Sequence, residues 1–157
     1  MMIFRPSTRA GVFSLGQSAY IRFVENSGVE SLTLDDLKEQ LQIYREQMSR
    51  TASQLGWDYE DAAFPYTVEM RPEGEGKWFY LKGKNEKYRH IVFGVGQQTV
   101  TSDEGEEKTV HYVQVALPDG STHGDKAKAN ELCKFLASRL KAELQMFNGR
   151  VIHYNYK

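Results

Sequence analysis

Residues 109–156 read TVHYVQVALPDGSTHGDKAKANELCKFLASRLKAELQMFNGRVIHYNY, and this stretch decides the fold. From Thr109 to Leu117 the apolar side chains alternate, which is the period of a half-buried strand. Pro118-Asp119-Gly120 closes that strand with turn residues. The period then lengthens. Ala129, Leu132, Leu136, Leu140 and Leu144 form one apolar stripe with Cys133 beside it, while Lys126, Lys128, Lys134, Arg139 and Lys141 take the wetter side. That spacing predicts a helix from about Asp125 to Glu143, capped by Thr122 or Asp125. Asn148-Gly149 is the two-residue signal for a type I′ turn, and it predicts a hairpin between Gln145–Phe147 and Arg150–Tyr156.

Working outward, Ser18 to Val24 alternates as a strand and ends in Glu25-Asn26-Ser27-Gly28. A helix follows with a marked start. Thr33 and Asp36 stand at the spacing of a capping box, and Leu32 with Leu37 at that of a hydrophobic staple. Leu34, Leu37, Leu41, Tyr44, Met48, Ala52 and Leu55 recur at steps of three and four, and Gly56 suits the left-handed stop. After the connector Trp57–Phe64, strands are predicted at Tyr66–Arg71, Lys77–Lys82, His90–Val95 and Thr109–Leu117. Short polar turns join them, so the run reads as an antiparallel meander. Gly94-Val95-Gly96 is a bulge or a close backbone approach on this reading.

The resulting order is β-α-β-β-β-β-α-β-β. It predicts an α+β fold in which a mainly antiparallel sheet carries two amphipathic helices packed on one face. Residues 17–157 are expected to form one domain, and residues 1–16 a poorly ordered arm. The arm contains Arg5 and Arg9 and no acid, but Pro6, Ser7 and Gly11 interrupt any secretory apolar core.

Composition narrows the function classes. With 40% apolar and 26% charged residues the 157-residue chain is an ordinary globular one, long enough for a core without disulfides. A formal net charge of −1 lacks the basic excess of a dedicated nucleic-acid or anionic-membrane binder. Cys133 is the only cysteine, so neither an intramolecular disulfide nor a cysteine-rich zinc site is available, and a cytoplasmic location is expected. No apolar run reaches the roughly 20 residues that span a bilayer.

Two segments carry weak chemical signals. Gly120-Ser121-Thr122-His123-Gly124-Asp125-Lys126 joins a strand to a helix, where backbone N–H groups can hold phosphate or carboxylate. It misses the Walker spacing, because three residues separate its glycines and Asp125 precedes Lys126. Ordinary capping competes with an anion site that uses His123 as acid/base and Lys126 as charge clamp. The second segment, Lys77 to Arg89, interleaves Lys77, Lys82, Lys84, Lys87 and Arg89 with Trp78, Phe79, Tyr80 and Tyr88. Such a hairpin can stack bases and neutralise phosphates. Against this, it can bury its aromatics and solvate its tip, and the acidic loop Asp103–Glu107 can also neutralise it within the chain.

The remaining candidates are thinner. His90, His111, His123 and His153 form no metal-ligand pair, so no metal and no cofactor are expected. Cys133, beside Leu132, Phe135 and Leu136, reads as a buried inert thiol. No nucleophile elbow appears, and adjacent carboxylates such as Glu60-Asp61 point apart. No catalytic residue is assigned. Aromatics on both faces at Trp78-Phe79-Tyr80 favour a dimer or ligand surface.

Ser18-Ala19-Tyr20-Ile21, the run Ala62-Ala63-Phe64-Pro65-Tyr66-Thr67, and Gly124-Asp125-Lys126 leading to Asn148-Gly149-Arg150 together carry a resemblance. The chain resembles, from about Gln17 to Tyr156, a small uncharacterised family of Bacillus-type bacteria, a domain of unknown function (DUF1885-like). The resemblance implies an α+β cytoplasmic protein and supplies no catalytic residue. The expected function is thus a binding or protein-interaction domain, with a homodimer among its possible forms. The alternatives are a small-anion site at the second helix and single-stranded nucleic-acid binding. Trp78, Tyr80, Lys84, Arg89, His123 and Lys126 are the candidate binding residues. If Trp78, Tyr80, His123 and Lys126 share one concave pocket, the enzyme reading gains; a flat surface favours interaction.

Overall fold

The computed structural model describes residues 17–55, 64–70 and 77–155, with the backbone alone at 51–55. The stop at Gly56, the connector before Phe64 and the turn at 72–76 lie outside the described residues, as does the arm at 1–16. The elements are β1 (Gln17–Phe23), α1 (Leu34–Leu55), β2 (Tyr66–Glu69), β3 (Trp78–Gly83), β4 (His90–Thr101), β5 (Glu107–Leu117), α2 (His123–Arg139), β6 (Glu143–Gln145) and β7 (Val151–His153). Seven strands form one antiparallel sheet in the order β2-β3-β4-β5-β1-β6-β7. The α+β order and the two helices thus follow the sequence pattern.

Alternation sorts each strand onto two faces. Ala19, Ile21, Phe79, Leu81, Ile91, Phe93, Val113, Val115, Leu117 and Leu144 line one face. Against them pack Leu34, Leu37, Leu41 and Tyr44 of α1, and Ala129, Leu132, Leu136 and Ala137 of α2. Leu41 and Leu136 are buried, as the stripes require. Truncating such a residue to Ala removes about 2–5 kcal/mol through lost burial and the cavity left behind. The α1 capping box forms as spaced: Asp36 N–H donates to Thr33 Oγ1 at 3.1 Å and Thr33 N–H to Asp36 Oδ2 at 3.2 Å. Where the helices meet, Tyr44 of α1 donates to Glu131 of α2, and Lys128 Nζ reaches the same carboxylate at 2.6 Å.

Several boundaries differ from the sequence reading. The second helix stops at Arg139 because Lys141 adopts φ 52° and Ala142 N–H returns to Ala137 O, which releases Glu143 into β6. β4 runs on past Val95 to Thr101. Gly94 and Gly96 pair regularly with Gln114 and Tyr112. Gly96 is needed because a Cβ there would stand 2.6 Å from the Tyr112 ring. The β6–β7 loop is also not a two-residue type I′ turn. Gly149 has φ +88° while Asn148 keeps negative φ; Gly149 N–H bonds Met146 O and Met146 N–H bonds Arg150 O. That is a type I turn followed by a left-handed glycine in a three-residue loop. Gly105, at φ +85°, closes Ser102–Glu106 in the same way.

Candidate functional site

The start of α2 is the most polar buried place among the described residues. Thr122 caps the helix in extended backbone geometry, with φ −92° and ψ 169°. Asp125 N–H donates to Thr122 Oγ1 at 3.0 Å, and Thr122 N–H donates to Asp125 Oδ2 at 2.9 Å. This reciprocal box satisfies two donors that a helix start otherwise leaves open. Asp125 is fully buried, the one charged residue of the described chain that is.

A buried carboxylate needs more than a box. Arg89 N–H donates to both Asp125 oxygens at 3.0 Å, and Tyr66 OH donates to Oδ1 at 2.5 Å. Thr122 Oγ1 in turn donates to Lys87 O at 2.5 Å. One carboxylate therefore ties the edge strand β2, the β3–β4 loop and the first turn of α2 together. Burial, and after it the hydrogen bond to and negative charge of Asp125, hold the Tyr66 hydroxyl far above the ordinary tyrosine pKa. Gly124 is there for close approach, since a Cβ would meet Lys87 O at 2.6 Å and the Tyr88 ring at 2.9 Å.

Chemically this arrangement is a clamp. Asp125 has no open face toward solvent, so it cannot reach a substrate proton as a general base must. Two backbone donors of the supposed anion loop, those of Thr122 and Asp125, already serve the box. His123 and Lys126 are exposed on the first turn. Lys84 and Arg89 lie exposed on the loop that docks against it, and the Arg89 guanidinium passes 3.6 Å from where a Gly120 Cβ would stand. The structure thus brings the β3–β4 loop onto the α2 start, joining two segments that the sequence leaves separate.

Trp78 and Tyr80 are elsewhere. Their side chains lie on the sheet face opposite the helices, in register with Gly94 and Val92. There Tyr80 approaches His90 at 5.5 Å between ring centroids. The four side chains Trp78, Tyr80, His123 and Lys126 therefore share no pocket. A shallow depression at Asn85, Glu86 and Lys87 includes none of them. The stacking platform of the nucleic-acid reading is reduced as well. Phe79 is buried against Phe93, and Tyr88 is half-buried with its ring 5.4 Å from Tyr66.

Asp103–Glu107 is not placed to neutralise the tip of the basic hairpin. The two loops stand at opposite ends of β4, about 37 Å apart at the rise of an extended strand.

The second sheet face holds a cluster that the sequence reading does not single out. Tyr20 and Tyr112 meet edge to face at 6.0 Å, Arg22 lies 5.7 Å over the Tyr20 ring, and Arg22 pairs with Glu143 at 3.4 Å. Its residues come from three strands whose order is not written in the chain, so no local spacing announces it. The histidines do not converge. His153 approaches Glu143 at 3.5 Å, His90 meets Tyr80, and among the described residues no three His, Cys, Asp or Glu side chains gather as metal ligands. Cys133 is buried, and burial pushes its thiol up to about 12, which leaves it unreactive. No described helix is long and apolar enough to cross a membrane.

Residues 17–156 match the family model described as a domain of unknown function, DUF1885. A solved structure, the crystal structure of a protein of unknown function from Bacillus stearothermophilus, is 40% identical. The alignment covers 78% of this chain and 88% of that one, with a TM-score of 0.49. Among curated proteins nothing matches.

Proposed function

The chain belongs to the DUF1885 family, and we propose that it works by binding another protein chain in the cytoplasm and catalyses no reaction. The observation that carries this reading is the separation of its polar candidates. Trp78 and Tyr80 stand on one side of the sheet, while His123 and Lys126 stand on the other. The one fully buried carboxylate, Asp125, spends its oxygens on Tyr66, Arg89 and Thr122. Catalysis needs acid, base and substrate within hydrogen-bond reach, and this arrangement supports binding over extended surfaces instead. The lone thiol, buried at Cys133, suits a reducing compartment.

The test is a thermal-shift series with inorganic phosphate, a nucleoside triphosphate and a dicarboxylate, each against chloride at equal ionic strength. The expected result is no anion-specific rise in Tm. A rise that disappears in Lys126→Ala would overturn the reading in favour of a small-anion site at the α2 start.

A further inference from the structure

The sheet face opposite the helices carries no described element, so its outward side chains should meet water. On β7 they do: Val151 is 41% exposed, and His153 is exposed next to it. The middle of the face differs. Tyr20, Val92, Val110 and Tyr112 point outward from β1, β4 and β5, yet are only 8%, 6%, 7% and 6% exposed. The Arg22 side chain among them is 11% exposed. Sideways neighbours cannot close this stripe. Val92 stands opposite Ala116 and next to Gly94 in its outward row, and neither is tall enough to screen it. The Tyr112 ring lies down over Gly96, 2.6 Å from where a Cβ there would stand, which leaves its other side facing away from the sheet. A sheet face this dry is packed against another layer.

Chain reach identifies that layer. Four stretches lie outside the described residues: 1–16, 56–63, 71–76 and 156–157. Residues 56–63 leave α1 and rejoin at Phe64, which is buried against Tyr44 on the helix side. To cover Tyr20 they would have to round the β2 edge, cross four strand spacings to β1, and return. At about 4.8 Å a spacing and about 10 Å around the edge each way, that path is roughly 58 Å, whereas nine steps of chain supply about 31 Å. Residues 71–76 would need roughly 34 Å to pass from β2 over Tyr20 and back to β3, and seven steps supply about 24 Å. Residues 156 and 157 set out from Asn155, whose side chain bonds Glu25 O. Glu25 lies about 17 Å along the chain from Tyr20, and two residues span about 7 Å. Residues 1–16 remain, and they join β1 at Gln17, three positions from Tyr20.

We propose that the occupant of this face is the chain's own N-terminal segment, residues 1–16, laid back over Tyr20, Val92 and Tyr112. Its composition fits the task. Ile3, Phe4, Val12, Phe13 and Leu15 supply apolar side chains for an aromatic stripe, and Gly16 stands where the chain must reverse beside Gln17. Arg5 and Arg9 suit the faces of tyrosine rings and the carboxylate of Glu143, and the segment brings no acid to oppose that carboxylate. Residues 1–16 are then a strap, where their sequence alone suggests a poorly ordered arm. While seated, the strap withholds the aromatic face from any other chain. This holds whether or not the molecule's partners are proteins.

Hydroxyl-radical footprinting of the full chain, read by mass spectrometry, tests the assignment. Tyr20 and Tyr112 should oxidise at least about tenfold more slowly in the wild type than in a variant carrying Val12→Asp, Phe13→Asp and Leu15→Asp, because access then requires the strap to lift. Tyr44 and Tyr66, buried on the helix side, should stay slow in both and report an intact core. Equal rates for Tyr20 and Tyr112 in the two proteins, with that core intact, would overturn the proposal. Should the variant unfold and expose Tyr44 and Tyr66, the wild type decides alone. Chymotrypsin should cut slowly after Phe13 in the native chain, since a seated stretch resists proteolysis. Rapid cleavage after Phe13 that leaves Tyr20 and Tyr112 slow to oxidise would show a different cover and overturn it as well.

Discussion

The two ends of β4 are built on opposite terms. At the His90 end, loop and helix are knit by one carboxylate whose acceptors are taken by Tyr66, Arg89 and Thr122. At the Thr101 end, two strands run out beyond their described neighbours with outward backbone groups that no described residue satisfies. The contrast shows where this chain places its buried polar pairing and where its backbone meets solvent. Buried polar groups are destabilising unless paired, so the closed end is intolerant of change, while the open end exchanges its hydrogen bonds with water.

Breaking the closed end should have the largest effect. Asp125→Ala strands three donors at once, those of Tyr66, Arg89 and Thr122, and should lower unfolding free energy by about 3–5 kcal/mol in urea titration. A loss under 1 kcal/mol, on the order of a single surface contact, would show that water replaces the clamp. Tyr66→Phe removes only the charge-assisted bond and should lose about 1.5–3 kcal/mol by the same measurement. Gly124→Ala drives a Cβ against Lys87 O and the Tyr88 ring, and should cost about 1–3 kcal/mol.

A smaller effect separates the helix interface from both ends. Partial burial works to raise the Glu131 carboxyl, but the hydrogen bonds from Lys128 and Tyr44 and the Lys128 charge outweigh it, leaving it below the ordinary glutamate range. A folded pKa below the unfolded one gives stability that is present above the unfolded value, about 4.3, and is lost as pH falls through the folded value. Glu131→Gln should therefore narrow the stability difference between neutral and acid solution, by little, since the group is half exposed. An unchanged pH profile would remove the ion pair from the account. At the open end, Glu104→Lys should shift unfolding free energy by no more than about 0.5 kcal/mol in the monomer. A large loss there would erase the contrast between the two ends.

Much of this architecture is legible in the residues, and the misses have physical causes. The leucine stripes fix both helices, because the 3.6-residue period leaves one face to bury. Thr33 with Asp36 announces its box at the right spacing. Thr122 with Asp125 announces a second box, but Arg89 and Tyr66 arrive from distant strands that no local pattern can supply. The charge expectation for Asp103–Glu107 fails on topology alone, since successive loops of a meander lie at opposite ends of the strand they share. Asn148-Gly149 is a strong turn signal, yet a glycine after a type I turn satisfies it equally well, and the closure is decided by Met146 and Arg150. Trp78 and Tyr80 are placed by alternation, which cannot say what lies across from them.

The position of β1 bears on how the chain is made. It lies between β5 and β6, with Gln17 opposite Leu117 and Ile21 opposite Leu144. The meander from Tyr66 onward can zip up strand by strand as it leaves the ribosome. Ser18–Phe23, translated long before, has no neighbour until most of the polypeptide exists. Closing such a loop over so much sequence is slow. The earliest-made hydrophobic strand therefore waits longest to be covered, and it is the segment a nascent-chain chaperone would have most reason to hold.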